Sequence, residues 1–447
     1  MHAGIFNETS QAIAAESKGM QSKRLLKLMV VGIWLITQMP VSAHASTVDL
    51  FGYGSRGLAM GGAIATTARG HAAAYYNPAA LALAKAPSFS VGYQYAAFNL
   101  EMTTPDLSGN KQFTDHNPAL VFGFGIPLPF GGVLQDRLSL GFGFVLPQGA
   151  LLLADASQPS TPSFPLLEAR AQTLSVQLSM GVNIIDKVSV GFGALVLATL
   201  DGNIDAQPNS TGTISAQVQN SLKTHISPVV GILLGPWANL NFALTWRNES
   251  LARYKIPVTA TVPIAGIDYS LALNIAGVAQ YDPQRATFEV SYQGIEFISF
   301  SAAVTYRAWS QFENPIEYFA IPDDYPAQPG PDFKDTIVPR LGMEMHWALE
   351  NWLIEPRLGY SFEPTPAPEQ TGFHNYLSNN RHLVTSGIGI QFGDFTLDLA
   401  GQFHVLEHRT HNKDPDRADE LENNPGFPSI SHEGLITVWS ADLGIAF

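Results

Sequence analysis

The chain has 447 residues, no cysteine, 14% charged residues and a formal net charge of −14. Lack of cysteine excludes disulfides and thiolate chemistry, and the acidic balance argues against nucleic acid as a partner, because phosphate binding needs the opposite sign. Charge lies well below the roughly 25% of a soluble protein, yet mean hydropathy is only +0.06, the average expected of a β-barrel with an apolar outside and a polar inside.

Lys23, Arg24 and Lys27 precede the apolar run Leu28–Ile36, and Ala43-His44-Ala45 follows. A basic region, a short apolar region and a small-x-small site make residues 1–45 a signal peptide, with Ser46 starting the mature chain. The run is far short of the roughly 20 residues of a spanning helix. Met20 fits as the true start, since residues 1–19 sit oddly ahead of the basic region. Removing Lys18, Lys23, Arg24, Lys27, Glu8 and Glu16 with the signal shifts the net charge from −14 to −16.

Residues 46–87 come next, and Phe51 to Leu83 are built mostly of Gly, Ala and small polar residues, with Tyr75-Tyr76-Asn77-Pro78-Ala79 near the end. Such a segment has too little bulk for its own core and too many backbone polar groups to leave bare in an apolar place. It needs an enclosure. Pro78 fixes a turn there, Asn77 satisfies local backbone groups, and Ala79 permits close approach to a wall.

From 88 to 447 the dominant signal is a period of two. Leu174 to Ile184, Ile298 to Tyr306 and Phe395 to Val405 each alternate apolar with small or polar residues, over lengths of the roughly 9–11 residues that a tilted membrane strand requires. About fourteen strands are predicted: 88–100, 117–127, 137–147, 170–184, 188–201, 223–235, 238–250, 285–293, 297–310, 336–348, 351–363, 382–392, 394–409 and 433–447. Their links alternate between short turns (185–187, 235–237, 294–296, 350–351, 393–394) and long loops (148–169, 202–222, 251–284, 311–335, 364–381, 410–432). That rhythm is the outer-membrane barrel pattern, whereas a soluble sandwich would leave large polar faces and exposed edges. The fold class is therefore all-β, a transmembrane antiparallel barrel with residues 46–87 as an internal plug. Trp237, Trp246, Trp309, Trp347 and Trp352 fall near predicted strand ends, as an aromatic girdle does. Pro228, Pro339 and Pro356 lie within strands and predict bulges.

Three groups of residues are candidates for handling a solute. Loops 148–169 and 251–284 are unusually apolar (Leu151, Leu152, Leu153, Phe164, Leu166, Leu167, and Ile256 to Ile275), and either collect apolar ligands or pack together as a lid. Arg307, Arg340 and Arg357 fall on the polar phase of their strands with Glu344, His346 and Glu355. Folding the 336–363 hairpin about Glu350 sets Glu344 near Arg357 as an ion pair, while Arg307 or Arg340 could hold a substrate carboxylate. Gly141, Gly143, Pro147 and Gly149 mark a kink in the third strand, or room for the plug.

Other spacings lead nowhere. Gly52-Tyr-Gly-Ser-Arg-Gly57 matches GxGxxG but follows no βαβ strand. His404, His408 and His411 have metal-like spacing, yet on one strand His404 and His408 share a face and His411 does not. The acidic run 414–422 reads as solvated charge, and no catalytic constellation stands out, so neither a metal nor another cofactor is expected. A general porin or structural barrel is the alternative, with a lipid-hydrolysing barrel enzyme behind it.

The chain resembles the FadL/TodX family of outer-membrane transporters for hydrophobic compounds. The resemblance covers the mature chain and rests on GSRGLAMGGAIATTARGHAAAYYNPAAL with its Asn77-Pro78-Ala79 motif, Trp309-Ser310-Gln311-Phe312, Phe333-Lys334-Asp335-Thr336 and the stretch Arg357–Pro368. It implies a fourteen-stranded barrel with an N-terminal hatch, uptake of fatty acids or other apolar compounds without an enzymatic step, and a wall opening beside the third-strand kink. The terminal strand ending on Phe447 resembles the signal read by the barrel assembly machinery. The partners expected are an apolar solute, outer-membrane lipid and lipopolysaccharide, with the protein a monomer in the outer membrane of a Gram-negative bacterium.

Overall fold

In a computed structural model the described residues are 47–105, 111–148, 152–153, 158–167, 172–208, 214–264, 267–316, 328–417 and 424–447. The signal peptide, Gly149 and Leu151 lie outside them. Sixteen long strands follow in chain order: β1 Ser88–Thr103, β2 Lys111–Pro127, β3 Leu138–Pro147, β4 Ser175–Ile185, β5 Val188–Pro208, β6 Ile214–Trp237, β7 Leu240–Arg247, β8 Ser250–Ile264, β9 Ile267–Asp282, β10 Arg285–Ile295, β11 Ile298–Arg307, β12 Thr336–Met345, β13 Trp352–Glu363, β14 Arg381–Phe392, β15 Phe395–Asn412 and β16 Ser429–Ala446. All but β8 and β9 form a closed fourteen-stranded antiparallel barrel in sequence order, with β7 pairing directly with β10 and β16 closing on β1 from Ser88↔Ala446 to Thr103↔Ser431.

Burial runs opposite to that of a soluble protein. On β4 Ser175, Gln177 and Ser179 are buried while Leu178 is 56% exposed; on β11 Ser299, Ser301 and Thr305 are buried while Phe300 and Val304 are exposed. Apolar side chains on the outer face and polar ones packed inside are what a bilayer selects, since each barrel strand satisfies its backbone through its neighbours. Trp237, Trp347 and Trp352 are exposed near the short-turn end, as girdle residues are. Trp309 is not among them: it is buried at the opposite end with Tyr281 and Phe312.

The loops differ from expectation in an informative way. Residues 202–222 and 251–284 are mostly strand, because the two-residue period runs on past the point where the neighbouring barrel strands stop. The β5–β6 hairpin pairs as far as Pro208↔Ile214, β8–β9 forms a hairpin of its own, and the two join in parallel at Ile204↔Val258 to Ala206↔Ala260. Register therefore puts Val218, Ile204, Val258 and Leu273 in one row across four strands, Ala216, Ala206, Ala260 and Leu271 in another, and Gln217, Asp205, Thr259 and Ala272 in the alternate row between.

Pro228, Pro339 and Pro356 produce no bulge in the ladders that include them. Each instead sits where the ladder on its other side stops: β6–β7 begins at Val229, β12–β13 begins at Arg340, and the β13 pairs skip Pro356 on the β12 side. A missing donor does no harm where no acceptor is waiting. The turn expected at 235–237 lies at Ala238-Asn239, both with positive φ, and the register shift falls between Leu234 and Trp237.

Inside the barrel, residues 47–83 form three short helices, Thr47–Phe51, Ser55–Ala59 and Gly70–Tyr76, and a 3-10 helix at Pro78–Leu83. Their small residues let backbone approach backbone. Gly181, Gly191 and Gly231 pair side by side across β4, β5 and β6, and the 3-10 helix lies on this glycine shelf. A Cβ at 191 would stand 2.2 Å from Ala79 N and Pro78 C, and one at 181 would stand 2.6 Å from Ala82 N. On the opposite wall Gly342, Gly359 and Gly387 make the same room for Ala59, Met60 and Gly61.

Candidate functional site

Asn77 is fully buried and ties the plug to itself and to the wall. Its Oδ1 accepts from Ala79 N at 3.1 Å, and its Nδ2 donates to Ala65 O at 3.0 Å and to Ile232 O at 3.3 Å. Pro78, in the first position of the 3-10 helix, needs no amide partner. The Ala65–Thr67 turn is clasped from two more sides. The buried Glu289 carboxylate of β10 accepts from Ala65 N (2.8 Å), Thr66 N (2.8 Å) and Thr66 Oγ1 (2.7 Å). Arg56 donates to Thr67 O at 2.7 Å and pairs with Glu344 of β12 at 2.7 Å. Burial alone would lower the Arg56 guanidinium, but Glu344 beside it holds it above its ordinary value.

A Glu289→Gln variant should loosen this turn. The amide keeps the size of the side chain but turns one of its two acceptor oxygens into a donor, which then faces the backbone N–H of Ala65 or of Thr66, a cost of about 1–3 kcal/mol. Hydrogen exchange in residues 64–68 should then run roughly tenfold or more faster than in the parent protein, as expected when ~1.4 kcal/mol is lost from local opening.

Above the plug lies a chamber lined with arginines. Arg247, Arg285 and Arg307 oppose one another directly along one row of β7, β10 and β11, an arrangement that repels itself unless anions intervene. Two carboxylates do. Asp49 of the plug pairs with Arg285 at 2.8 Å and Arg247 at 3.4 Å, and accepts from the Tyr75 hydroxyl at 2.5 Å. Arg247 also lies over the Tyr75 ring at 4.1 Å and donates to Tyr75 O at 2.6 Å. Glu363 of β13 serves Arg307 (3.2 Å), Arg340 (3.5 Å) and Arg381 together. With Asp282, five guanidinium groups face three carboxylates around two adjoining cavities between the plug and the mouth. Arg247 Nε and Arg381 Nη1 are buried there without a hydrogen-bond partner.

The mouth is roofed by apolar groups. Phe312 stacks on Phe333 at 4.4 Å, and Trp309, Tyr281, Tyr376 and Leu166 pack around them. Ser310 N donates to Asp335 Oδ1 at 2.9 Å, locking residues 309–312 to 333–336. At the short-turn end Arg357 is held by Glu344 (2.7 Å), Glu355 (2.6 Å) and Asp398. A further cavity opens there, lined by Arg56, Arg69, Glu355, Arg357, Asp398 and Asp442 among others.

A sequence model of the outer membrane protein transport proteins (OMPP1/FadL/TodX) matches residues 34–429. The chain belongs to the OMPP1/FadL/TodX family. It is therefore an outer-membrane protein of a Gram-negative bacterium, in a family that carries hydrophobic compounds. Alkane uptake protein A of Marinobacter nauticus is 23% identical over 95% of this chain and 97% of its own length. Among solved structures, a Pseudomonas aeruginosa FadL homologue superposes with a TM-score of 0.60 at 13% identity, covering 88% of this chain and 98% of its own. The P. putida toluene transporter TodX gives 0.53 at 15%, covering 89% and 99%. These likenesses show the fold.

Arg307 and Arg340 reach the chamber, but neither is free: Glu363 holds both. Arg357 lies in the lower cavity and makes the expected pair with Glu344. Phe164, Leu166 and Leu167 are buried, so they are roof and not exposed collecting surface; Phe164 meets Phe113 at 5.5 Å, and Leu166 and Leu167 line the chamber. Leu152 and Leu153 pair with Thr173 and Gln172. Both ladders of β3 run through Gly141 and Gly143 without a register shift; the β2 side pairs as far as Pro147, while the β4 side ends at Val145. A Cβ at 141 would meet Leu81 at 2.6 Å and one at 143 the Tyr53 hydroxyl at 2.6 Å, so these glycines accommodate the plug. A bulge between Leu406 and Arg409 flips the strand phase, burying His404 and His411 and leaving His408 outside.

Asp49, Arg247, Arg285, Glu289, Glu363 and Arg381 went unread. Glu363 stands within the Arg357–Pro368 stretch, and Arg247, Arg285 and Arg307 each sit at a strand end near the long-loop side. Matching those ends in register would have revealed the arginine row.

Proposed function

We propose that this protein takes up hydrophobic small molecules across the outer membrane, and that its preferred cargo is an amphiphile with a carboxylate on an apolar chain. The apolar sequence from Ile256 to Ile275 supplies a collecting surface, and burial there contributes roughly 0.8 kcal/mol per CH2. The aromatic roof then separates that surface from the chamber. The observation that carries the finer reading is the arginine row and its neighbour Arg381, with one buried guanidinium nitrogen to spare on Arg247 and one on Arg381. A carboxylate joining Asp49 and Glu363 would relieve the remaining repulsion, whereas a bare alkane would desolvate charge for no return. Release follows when the plug yields, at the wall or into the lower cavity. The protein works as a monomer among outer-membrane lipid and lipopolysaccharide, placed there by the barrel assembly machinery.

Uptake of a long-chain fatty acid, an alkane and toluene by a strain lacking the gene, with and without the gene restored, tests the reading. Substituting Arg307→Met and Arg340→Met together should lower fatty-acid uptake about tenfold, a loss of about 1.4 kcal/mol of recognition, and leave the hydrocarbons unchanged. Unchanged fatty-acid uptake would move the preferred cargo to an alkane, the compound for which the Marinobacter relative is named.

A further inference from the structure

Asp442 of β16 is 5% exposed and makes no ion pair among the described residues. Its Oδ2 accepts from Ser55 N of the plug at 2.6 Å, while its Oδ1 is buried without a hydrogen bond. The neighbours explain why. On the β15 side it stands directly opposite Asp398, a second carboxylate. On the β1 side it faces Gly92, which has no side chain to answer it. Along its own face of β16 come Gly444 and Ser440, and the Ser440 hydroxyl is already engaged with Ser55 Oγ at 2.8 Å. Asp398 in turn gives one oxygen to Arg357.

Both aspartates border the lower cavity, which has a volume of about 270 Å3. The charges around it do not balance. Four carboxylates, Glu344, Glu355, Asp398 and Asp442, meet two buried guanidinium groups, Arg56 and Arg357, while Arg69 is 60% exposed and largely in water. Two negative charges are left inside the wall. Directly opposed like charges repel, and a desolvated carboxylate without a counter-charge is costly. One divalent cation makes up the deficit. The donors beside the aspartates are oxygens, since Ser90 and Thr396 flank them one pair further down the β1 and β15 ladders. Such a set suits a hard cation that keeps part of its water.

We infer that Asp398 and Asp442 bind a divalent, oxygen-seeking cation of the calcium or magnesium class, which fixes the foot of the plug to the β15–β16 wall through Ser55. The site lies apart from the arginine chamber and does not depend on what the cargo is. With two protein carboxylates and water as its main ligands it belongs among weak sites, half-saturated at roughly 0.1–1 mM. Losing the ion leaves Asp398 and Asp442 to repel each other. Their backbones are held by the β15–β16 ladder, so the contact that yields is the one to Ser55 N.

Hydrogen exchange of the whole protein, read in residues 53–57 after chelation and again with Ca2+ restored, tests the site. At ten times the half-saturating Ca2+ concentration, exchange there should slow about tenfold, as expected of a ligand bound only while the plug is seated. Asp442→Asn removes the charge and keeps the shape, and its exchange should not respond to Ca2+. Asp416→Asn, at an exposed carboxylate of the acidic run, should respond as the parent does. No slowing in the parent, or equal slowing in Asp442→Asn, overturns the inference. Exchange that follows pH and ignores Ca2+ also overturns it, and gives the pair a shared proton instead.

Discussion

A Gly191→Val variant should form its barrel and lose its plug. The β5 ladder welcomes a β-branched residue, so strand pairing gains rather than suffers. The first added carbon, however, would stand 2.2 Å from Ala79 N and Pro78 C, which are backbone and cannot rotate away. Two further methyl groups deepen the clash, and overpacking of this kind costs about 1–3 kcal/mol or more. The 3-10 helix must lift from its shelf, taking with it the bonds from Asn77 to Ala65 and Ile232. Conductance in planar bilayers should rise from near-closed to that of an open porin, and cells should become sensitive to large hydrophilic antibiotics. Gly131→Ala is the control, since nothing lies within 4 Å of its added carbon. Parent-like conductance in Gly191→Val would mean that the plug can be reseated without the shelf.

The second large effect falls on stability. Arg357 is almost wholly buried and answers three carboxylates, Glu344, Glu355 and Asp398. Arg357→Met fills the space and removes the charge, leaving Glu355 and Asp398 without their main cation while Glu344 keeps Arg56. Stranding buried charge costs about 3–5 kcal/mol. The folded, heat-modifiable band should therefore give way at clearly lower urea than in the parent protein. Adding Glu355→Gln should restore part of the loss by removing one of the stranded charges. A single variant as stable as the parent would show that water reaches the cluster and screens it.

Much of the barrel was legible because a strand in a bilayer has so few ways to be written. Phe300, Ala302, Val304 and Tyr306 face lipid because Ser299, Ser301 and Thr305 on the other phase are polar, and that arithmetic needs no partner strand. Arg307 and Arg340 were readable as inward for the same reason. Glu363 as their shared counter-ion was not, since it depends on two strand registers at once. His411 was assigned to the wrong side because one extra residue between Leu406 and Arg409 reverses every later side chain. Residues 251–284 looked like loop because their sequence lies beyond the barrel rim, where only pairing with another hairpin reveals strand. Asp49 carries no local sign of its partners; its role comes from Arg247 and Arg285 far along the chain.

The plug touches early and late strands alike. Pro78 rests on Gly191 of β5, while Ser55 donates from its backbone to Asp442 of β16 at 2.6 Å and shares a hydroxyl contact with Ser440. Phe447 N, at the end of the chain, donates to Pro87 O, where the plug gives way to the first strand. Contacts to β5 and β16 alike mean that the plug's seat is complete only where the last strand has closed on the first, so a cylinder closed with the plug out of its seat would leave the lumen open.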